Sequence, residues 1–255
     1  MKYTGERIVP RLPECGPGTF VYETHLARYR FAAAHLTGQR ILDIACGVGY
    51  GTEFLSSRAN RQVLGGDISK EAIRYAAVHH TGKNLSYTVM SADQLPLPSS
   101  AMDCVVSFET IEHLPDGERF LNELTRVLRD NGRIIISTPN RATYGLGLTT
   151  PDNPFHTREY SLDEFKDLLS SRFREVSLFS QRRRKRKSRD RLRTANALRN
   201  VRRADRIGLR RLIPQRLRTF IREVSDPYDR DPNISPMAPG DDPLYFVAVA
   251  EGKRK

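Results

Sequence analysis

Hydrophobic positions along the chain follow two alternating periodicities. Short apolar runs typical of buried strands alternate with segments whose apolar residues recur every three or four positions, as in amphipathic helices. The predicted strands are residues 41–45, 62–67, 85–90, 102–108, 134–138, 173–179 and 244–250. The predicted helices lie near 22–36, 50–55, 69–77, 116–128 and 161–169. Strands that alternate with helices in this way predict an α/β domain around a largely parallel sheet.

The turn after the first predicted strand carries three glycines at alternate positions. It reads Leu42-Asp43-Ile44-Ala45-Cys46-Gly47-Val48-Gly49-Tyr50-Gly51. Glycine lets a ligand approach bare backbone, and a helix that opens at Tyr50 would direct free N–H groups toward an anion. In the dinucleotide fingerprint G-x-G-x-x-G, the third glycine would fall on Thr52. The pattern therefore favours an anion smaller than a pyrophosphate, with a nicotinamide oxidoreductase as the alternative.

A carboxylate ends the second predicted strand. Asp67 follows Gly47 by about 20 residues, the distance at which an acidic side chain meets a ribose in nucleotide-binding α/β folds. A carboxylate there can accept hydrogen bonds from both ribose hydroxyls. The turn and Asp67 together predict a ligand with a ribose.

Both stretches resemble motifs of class I S-adenosylmethionine-dependent methyltransferases. Residues 42–51 resemble the first motif and Gly66-Asp67-Ile68-Ser69 the second, and the resemblance covers residues 20–180 and 244–250. It implies a Rossmann-like, seven-stranded, mostly parallel sheet with helices on both faces and an antiparallel last strand. The implied cofactor is S-adenosylmethionine, with its methionine part at the glycine turn and its ribose on Asp67.

The resemblance also implies further cofactor contacts. Asp93 matches the acidic residue that accepts from the adenine amino group, and a loop or capping role is its alternative. Arg28 could pair with the methionine carboxylate or remain a solvated surface arginine. The predicted cofactor residues are Arg28, Asp43, Gly47, Gly49, Gly51, Asp67, Ile68, Ala92, Asp93 and Glu109.

Two histidines are the candidates for proton transfer. His113 lies five residues past the fourth predicted strand, and His156 lies in a loop over residues 139–160 that is long enough to form a lid. An imidazole changes charge near neutral pH, which suits a base that takes the proton of a hydroxyl acceptor. Residues 109–114 and 156–161 resemble small-molecule methyltransferases that act on quinone precursors or in glycan assembly. The linear spacing of His, Cys, Asp and Glu residues predicts no metal site.

Composition sets limits on these predictions. A chain of 255 residues can form one α/β domain, and no apolar run reaches the roughly 18 residues of a transmembrane helix. Three cysteines without C-x-x-C spacing, and a first segment without a signal-peptide core, predict a cytoplasmic protein. Residues 1–19 are predicted to be an N-terminal arm that is either frayed or a flap across the cofactor.

Basic charge is concentrated in one predicted insertion between the last two strands. Residues 181–223 hold 18 Lys and Arg against 3 Asp and Glu, a local net charge of +15, while the whole chain carries +12. The pattern predicts three short basic amphipathic helices, followed by a Pro- and Asp-rich linker to residue 243. They could pack on the core, lie peripherally on the anionic inner face of a membrane, or bind nucleic acid phosphates, the last being less favoured.

These observations predict a methyltransferase that methylates an oxygen of a small molecule, glycan or lipid-linked acceptor. The alternatives are an RNA methyltransferase that grips phosphates with the insertion, and a non-catalytic module that binds S-adenosylmethionine.

Overall fold

The described part of the chain is built around one mixed β-sheet. The computed structural model describes residues 7–13, 15–59, 61–144, 151, 153–185, 228–241 and 243–254. The strands are β1 (Arg40–Ile44), β2 (Gln62–Asp67), β3 (Leu85–Val89), β4 (Met102–Phe108), β5 (Leu128–Pro139), β6 (Phe173–Lys185), β7 (Tyr228–Pro236) and β8 (Pro243–Lys253). The helices are α1 (Phe20–His35), α2 (Tyr50–Ala59), α3 (Lys70–His79), α4 (Gly117–Val127) and α5 (Leu162–Ser170), with a 3-10 turn at Ile111–His113.

The strand order places the end of β1 at the centre of the sheet. The order is β3-β2-β1-β4-β5-β8-β6-β7, with the first five strands mutually parallel and β8 antiparallel to both β5 and β6. The chain changes direction across the sheet between β1 and β4, and such a switch point opens a cleft beyond the carboxyl ends of the strands. The predicted Rossmann-like architecture with an antiparallel last strand is confirmed.

The sheet has one strand more than the seven predicted. Residues 228–236, which were predicted to belong to a linker, form β7 at the edge beside β6. A Pro- and Asp-rich stretch can extend a sheet there, because an edge strand leaves one row of its backbone groups unpaired and so tolerates proline.

Alternate residues of the central strands build two cores, one on each face of the sheet. Leu42 and Val105 pack with the buried faces of α4 and α5, whereas Ile41 and Val106 pack with α1 and α2. All four side chains are at most 1% exposed. Each buried side chain of this size contributes about 1.5–3 kcal/mol, so the two-sided pattern accounts for both helical layers.

Local capping signals fix most helix starts. Ser69 accepts a hydrogen bond from the backbone of Ala72 at the start of α3, and Ser161 forms a capping box with Glu164 at the start of α5. The α4 helix ends at Val127, close to the predicted bound at 128. The chain then enters β5 directly, so this strand begins at Leu128 and not at the predicted residue 134.

The chain forms two compact units. The first is Met1–Arg182 with Pro232–Lys255, and the second is Arg183–Asp231. Of the second unit, the structure describes only the strand residues 183–185 and 228–231, so the three predicted basic helices lie outside the described residues. Within the described residues, no helix is both long enough and apolar enough to cross a bilayer.

Candidate functional site

The turn after β1 is held in a conformation that suits a ligand at one of its glycines. Gly47 has a φ of 57°, and among the described residues a Cβ placed on it would meet only the Arg7 side chain, at 3.8 Å. Its face is otherwise open, as a ligand that presses on backbone requires.

The other two glycines of the turn face the protein. A Cβ on Gly51 would lie 2.0 Å from the Tyr29 ring, and one on Gly49 would lie 2.6 Å from Ala76 and 2.8 Å from Tyr87. Glycine at 49 and 51 therefore lets α1, α3 and β3 pack tightly around the turn.

Asp43 supports this turn from within the core. It is 1% exposed and accepts hydrogen bonds from the Thr52 hydroxyl at 2.7 Å and from the Tyr29 hydroxyl at 3.3 Å. Burial raises the pKa of Asp43 to about 7, since the charged form loses its hydration, and the two hydrogen bonds oppose that rise. Asp43 thus ties β1 to both α1 and α2, a structural role beside the predicted one at the cofactor.

Asp67 lies directly beside the open glycine. The Gly47 backbone N–H donates to Oδ2 at 2.9 Å and the Ser69 N–H donates to Oδ1 at 2.8 Å. The carboxylate is thereby oriented and keeps lone pairs for further donors. Arg7 Nη2 lies 3.7 Å from Oδ1. This contact from the N-terminal arm to Asp67 was not indicated by any sequence spacing.

The apolar and acidic candidates after β2 and β3 differ in exposure. Ile68 is 73% exposed, an unusual state for an isoleucine, and stands next to Asp67. Ala92 is buried. Asp93 accepts from the Ser91 hydroxyl and has Arg119 Nε at 3.8 Å, so part of its carboxylate is engaged within the protein.

Arg28 is a buried cation without a full set of partners. It is 3% exposed, its Nη1 donates to Gln181 Oε1 at 2.6 Å, and its guanidinium lies 4.6 Å from the centre of the Tyr245 ring. Its Nε is buried and has no hydrogen-bond acceptor within the part of the chain that the structure describes. The alternative of a solvated surface arginine is wrong, because α1 turns this side chain inward.

Two glutamates follow β4 on the other side of the switch point. Glu109 has a φ of 51° and accepts from the Ser137 hydroxyl at 2.7 Å. Glu112 is fully buried, and its Oε2 accepts a hydrogen bond from Thr138 at 3.0 Å. Its Oε1 has no hydrogen-bond partner among the described residues. Burial raises the pKa of Glu112 well above its ordinary value, and the charge of Glu109 raises it further.

The two predicted proton acceptors lie side by side. The rings of His113 and His156 are 4.9 Å apart in a T-shaped arrangement. His113 Nδ1 lies 2.9 Å from the Phe155 carbonyl, and His156 Nδ1 lies 2.9 Å from Glu159 Oε1. Tyr144 stacks on His156 at 5.5 Å.

The fold therefore brings the histidines together from two distant segments. The Glu112 carbonyl accepts backbone N–H groups from Thr157 and Arg158, which fastens the loop of His156 to the turn of His113. No sequence spacing indicated Glu159 and Tyr144 as neighbours, because their relation to His113 depends on this tertiary contact.

Fold and site together define a class of protein. A doubly wound sheet with an open glycine turn after β1 and an anchored carboxylate after β2 has the architecture of a class I methyltransferase domain.

Comparisons with known proteins identify the same class. Residues 42–136 match a family model described as a methyltransferase domain. A probable S-adenosylmethionine-dependent methyltransferase of Mycobacterium tuberculosis is 40% identical over 171 residues, which cover 65% of this chain and 58% of the relative. A ubiquinone biosynthesis O-methyltransferase of Chelativorans is 32% identical over 126 residues, 49% of each chain. The match thus spans about half to three fifths of these relatives' lengths.

A solved structure agrees at the level of the fold. It is a methyltransferase from Thermotoga maritima described as a possible histamine N-methyltransferase, with a TM-score of 0.60, 16% identity and coverage of 92% of this chain and 93% of that chain. Residues 42–136 therefore match a methyltransferase domain, and the relatives that share this part of the chain include S-adenosylmethionine-dependent methyltransferases.

Proposed function

We propose that this protein transfers a methyl group from S-adenosylmethionine to a hydroxyl oxygen of a small-molecule or glycan acceptor. The observation that carries the proposal is the Asp67 carboxylate, which two backbone N–H groups hold beside the open face of Gly47. The quinone O-methyltransferase relatives support an oxygen acceptor.

The residues present fit the cofactor. Asp67 would hold the ribose hydroxyls, and the exposed Ile68 would cover one face of the adenine. Ala92 and Asp93 would line the adenine side, and Gly47 would admit the amino-acid tail. The buried Arg28 lacks an acceptor at Nε, and the methionine carboxylate would supply one.

The chemistry needs little more than positioning. When bound, S-adenosylmethionine supplies a methyl carbon on a positively charged sulfur, which a nucleophilic oxygen can take in an in-line displacement. The protein's part is to hold the acceptor oxygen aligned and to exclude water. His113 and His156 supply basic nitrogens beyond the end of β4, where the acceptor's proton must go.

The N-terminal arm would complete the cofactor pocket. Arg7 lies over both Gly47 and Asp67, which supports the flap alternative for residues 1–19. A flap there would limit the access of water to the ribose and the methionine part.

The first test is the affinity for S-adenosylmethionine, measured by calorimetry on Asp67→Asn. The substitution keeps the size of the side chain but places an N–H₂ group against a backbone donor. A hydrogen bond to a charged group contributes about 1.5–3 kcal/mol, so we expect affinity to fall by roughly 10- to 100-fold.

Asp103 provides the matched control. It also accepts hydrogen bonds from two backbone N–H groups, those of Gln39 at 2.8 Å and Arg40 at 2.9 Å. These contacts lie at the amino ends of β1 and β4, away from the glycine turn. Asp103→Asn should leave cofactor affinity unchanged. Equal losses in the two variants, or no binding by the wild-type protein at tens of micromolar, would contradict the proposal.

The acceptor is then sought with labelled cofactor. Lipid and aqueous fractions of a cell extract are incubated separately with the enzyme, and transferred label is measured in each. Label in RNA rather than in a small molecule or glycan would refute the proposed acceptor class.

A further inference from the structure

Three side chains with metal-binding atoms converge beyond the end of β4. One ligand atom each from Glu112, His113 and His156 lies within 4.8 Å of the other two. Glu112 and the His156 side chain are buried, at 0% and 3% exposure. Linear spacing does not predict this cluster, because His156 is remote from the other two in sequence.

Both imidazoles are oriented in the way that metal ligands usually are. The neighbours of Nδ1 are acceptors in each case, the Phe155 carbonyl for His113 and the Glu159 carboxylate for His156. Nδ1 therefore carries the proton, and Nε2 carries the lone pair. A histidine that binds a metal typically donates its other N–H to such a carbonyl or carboxylate.

The carboxylates of the cluster lack partners that a cation would replace. Glu112 Oε1 and Glu159 Oε2 are buried, and neither has a hydrogen bond to any residue that the structure describes. A buried carboxylate oxygen that has lost its water and found no donor is costly. A cation beside Glu112 would offset that cost. The same cation, bound to His156, would also stabilise Glu159 through the hydrogen bond between the two side chains.

We propose that Glu112, His113 and His156 bind a divalent first-row transition cation, with Glu159 as the residue that positions His156. Two imidazole nitrogens and one carboxylate suit Zn²⁺, Co²⁺ or Mn²⁺ rather than Ca²⁺. Ligands at about 2.0–2.2 Å in a tetrahedron lie roughly 3.4 Å apart, so the cluster contracts on binding. The Asn153 amide, 2.9 Å from His156 Nε2, moves aside.

Three protein ligands leave a coordination position open. An acceptor hydroxyl that occupies it would be held near the methyl donor, and the cation would lower the pKa of that hydroxyl. In the cation-bound protein the two imidazole nitrogens are ligands, so the proton would pass to water instead of to His113 or His156. This role rests on the proposed methyl transfer, whereas the cation site itself does not.

The test measures cation binding without cofactor or acceptor. The full chain is treated with a chelator, dialysed and titrated with Co²⁺ by calorimetry and visible absorption. We expect one equivalent per chain and the absorption bands of a low-coordinate Co²⁺ ion with nitrogen ligands. Mg²⁺, which prefers oxygen ligands, should bind roughly 100-fold more weakly.

Two isosteric variants identify the site. Glu112→Gln removes the ligand charge, and Glu159→Gln leaves all three ligands but weakens the orientation of His156. Each should lower Co²⁺ affinity by roughly 10- to 100-fold, and Glu159→Gln should also shift the Co²⁺ absorption bands. Circular dichroism checks that both variants fold.

The control is another histidine–glutamate pair. His80 Nδ1 lies 2.8 Å from Glu53 away from this cluster, so His80→Ala should leave the stoichiometry and affinity unchanged. The proposal is overturned if the wild-type chain binds no equivalent, if the Glu112 and Glu159 variants bind as wild type does, or if Mg²⁺ matches Co²⁺. None of these results would affect the binding of S-adenosylmethionine to Asp67, which is measured separately.

Discussion

The buried Asp43 carboxyl makes the stability of the domain depend on pH. Burial raises its pKa from an ordinary 3.8 to about 7; the hydrogen bonds from Thr52 and Tyr29 oppose the rise, and the nearby charge of Asp67 adds to it. The folded state therefore holds this proton more tightly than the unfolded chain does.

The sign and size of the effect follow from linkage. A carboxyl with a raised pKa costs nothing below the unfolded value near 4, and it destabilises the fold increasingly as pH rises toward 7. Above pH 7 the full cost is present, about 4 kcal/mol for this shift. Between pH 5 and pH 8 the free energy of unfolding should fall by about 2.6 kcal/mol on account of Asp43 alone.

Asp43→Asn removes this titration. The amide loses part of the hydrogen bonding to Thr52 and Tyr29, at a cost of roughly 1–3 kcal/mol that is independent of pH. Urea unfolding at pH 5, 6, 7 and 8 gives the stability of wild type and variant. From pH 5 to pH 8, the stability of the variant relative to wild type should rise by about 2.6 kcal/mol.

Asp103→Asn serves as the control. Hydrogen bonds from two backbone N–H groups and from Arg129 outweigh the effect of burial and lower the pKa of Asp103. Stability from Asp103 is therefore lost only as pH falls below about 4, and its difference curve should be flat from pH 5 to 8. Parallel curves for Asp43→Asn and wild type would refute the buried titration.

Three further substitutions separate folding from cofactor binding. Gly51→Ala should lower the melting temperature because its Cβ would overlap the Tyr29 ring, a clash of roughly 1–3 kcal/mol or more. Gly47→Ala places a Cβ in open space at a positive φ. It should lower the free energy of unfolding by roughly 1–2 kcal/mol and weaken S-adenosylmethionine binding. A larger stability loss at residue 47 than at residue 51 would contradict the packing argument. Arg28→Met should weaken S-adenosylmethionine by at least roughly 10-fold and leave methylthioadenosine, which has no carboxylate, unchanged. Equal losses for the two ligands would exclude a contact to the carboxylate.

Much of the fold could be predicted because its signals are local. The bounds of β2 agree with the apolar run at 62–67, and Ser161 with Glu164 marks the start of α5, since period and capping each depend on a few neighbouring residues. The strand at 228–236 could not be predicted in this way. An edge strand is defined by the strand beside it more than by its own hydrophobic pattern.

The candidate site also has a part that could be predicted from the sequence and a part that could not. The meeting of Asp67 with Gly47 was predictable, because parallel neighbours carry their carboxyl ends to one edge of the sheet. The pairing of Glu159 with His156, and the approach of the loop at 153–159 to Glu112, depend on tertiary contacts for which sequence offers no spacing rule.

The buried charges of the cleft differ in how far the protein alone satisfies them. Asp67 accepts hydrogen bonds from two backbone N–H groups. Among the described residues, by contrast, Arg28 Nε finds no acceptor and Glu112 Oε1 finds no donor. A buried charge without partners is destabilising, so its presence at a strand-end cleft indicates that a ligand supplies the missing interaction. Under the two proposals, the methionine carboxylate would supply an acceptor to Arg28, and a cation beside two oriented imidazoles would supply a partner to Glu112. Each proposal can be tested without the other.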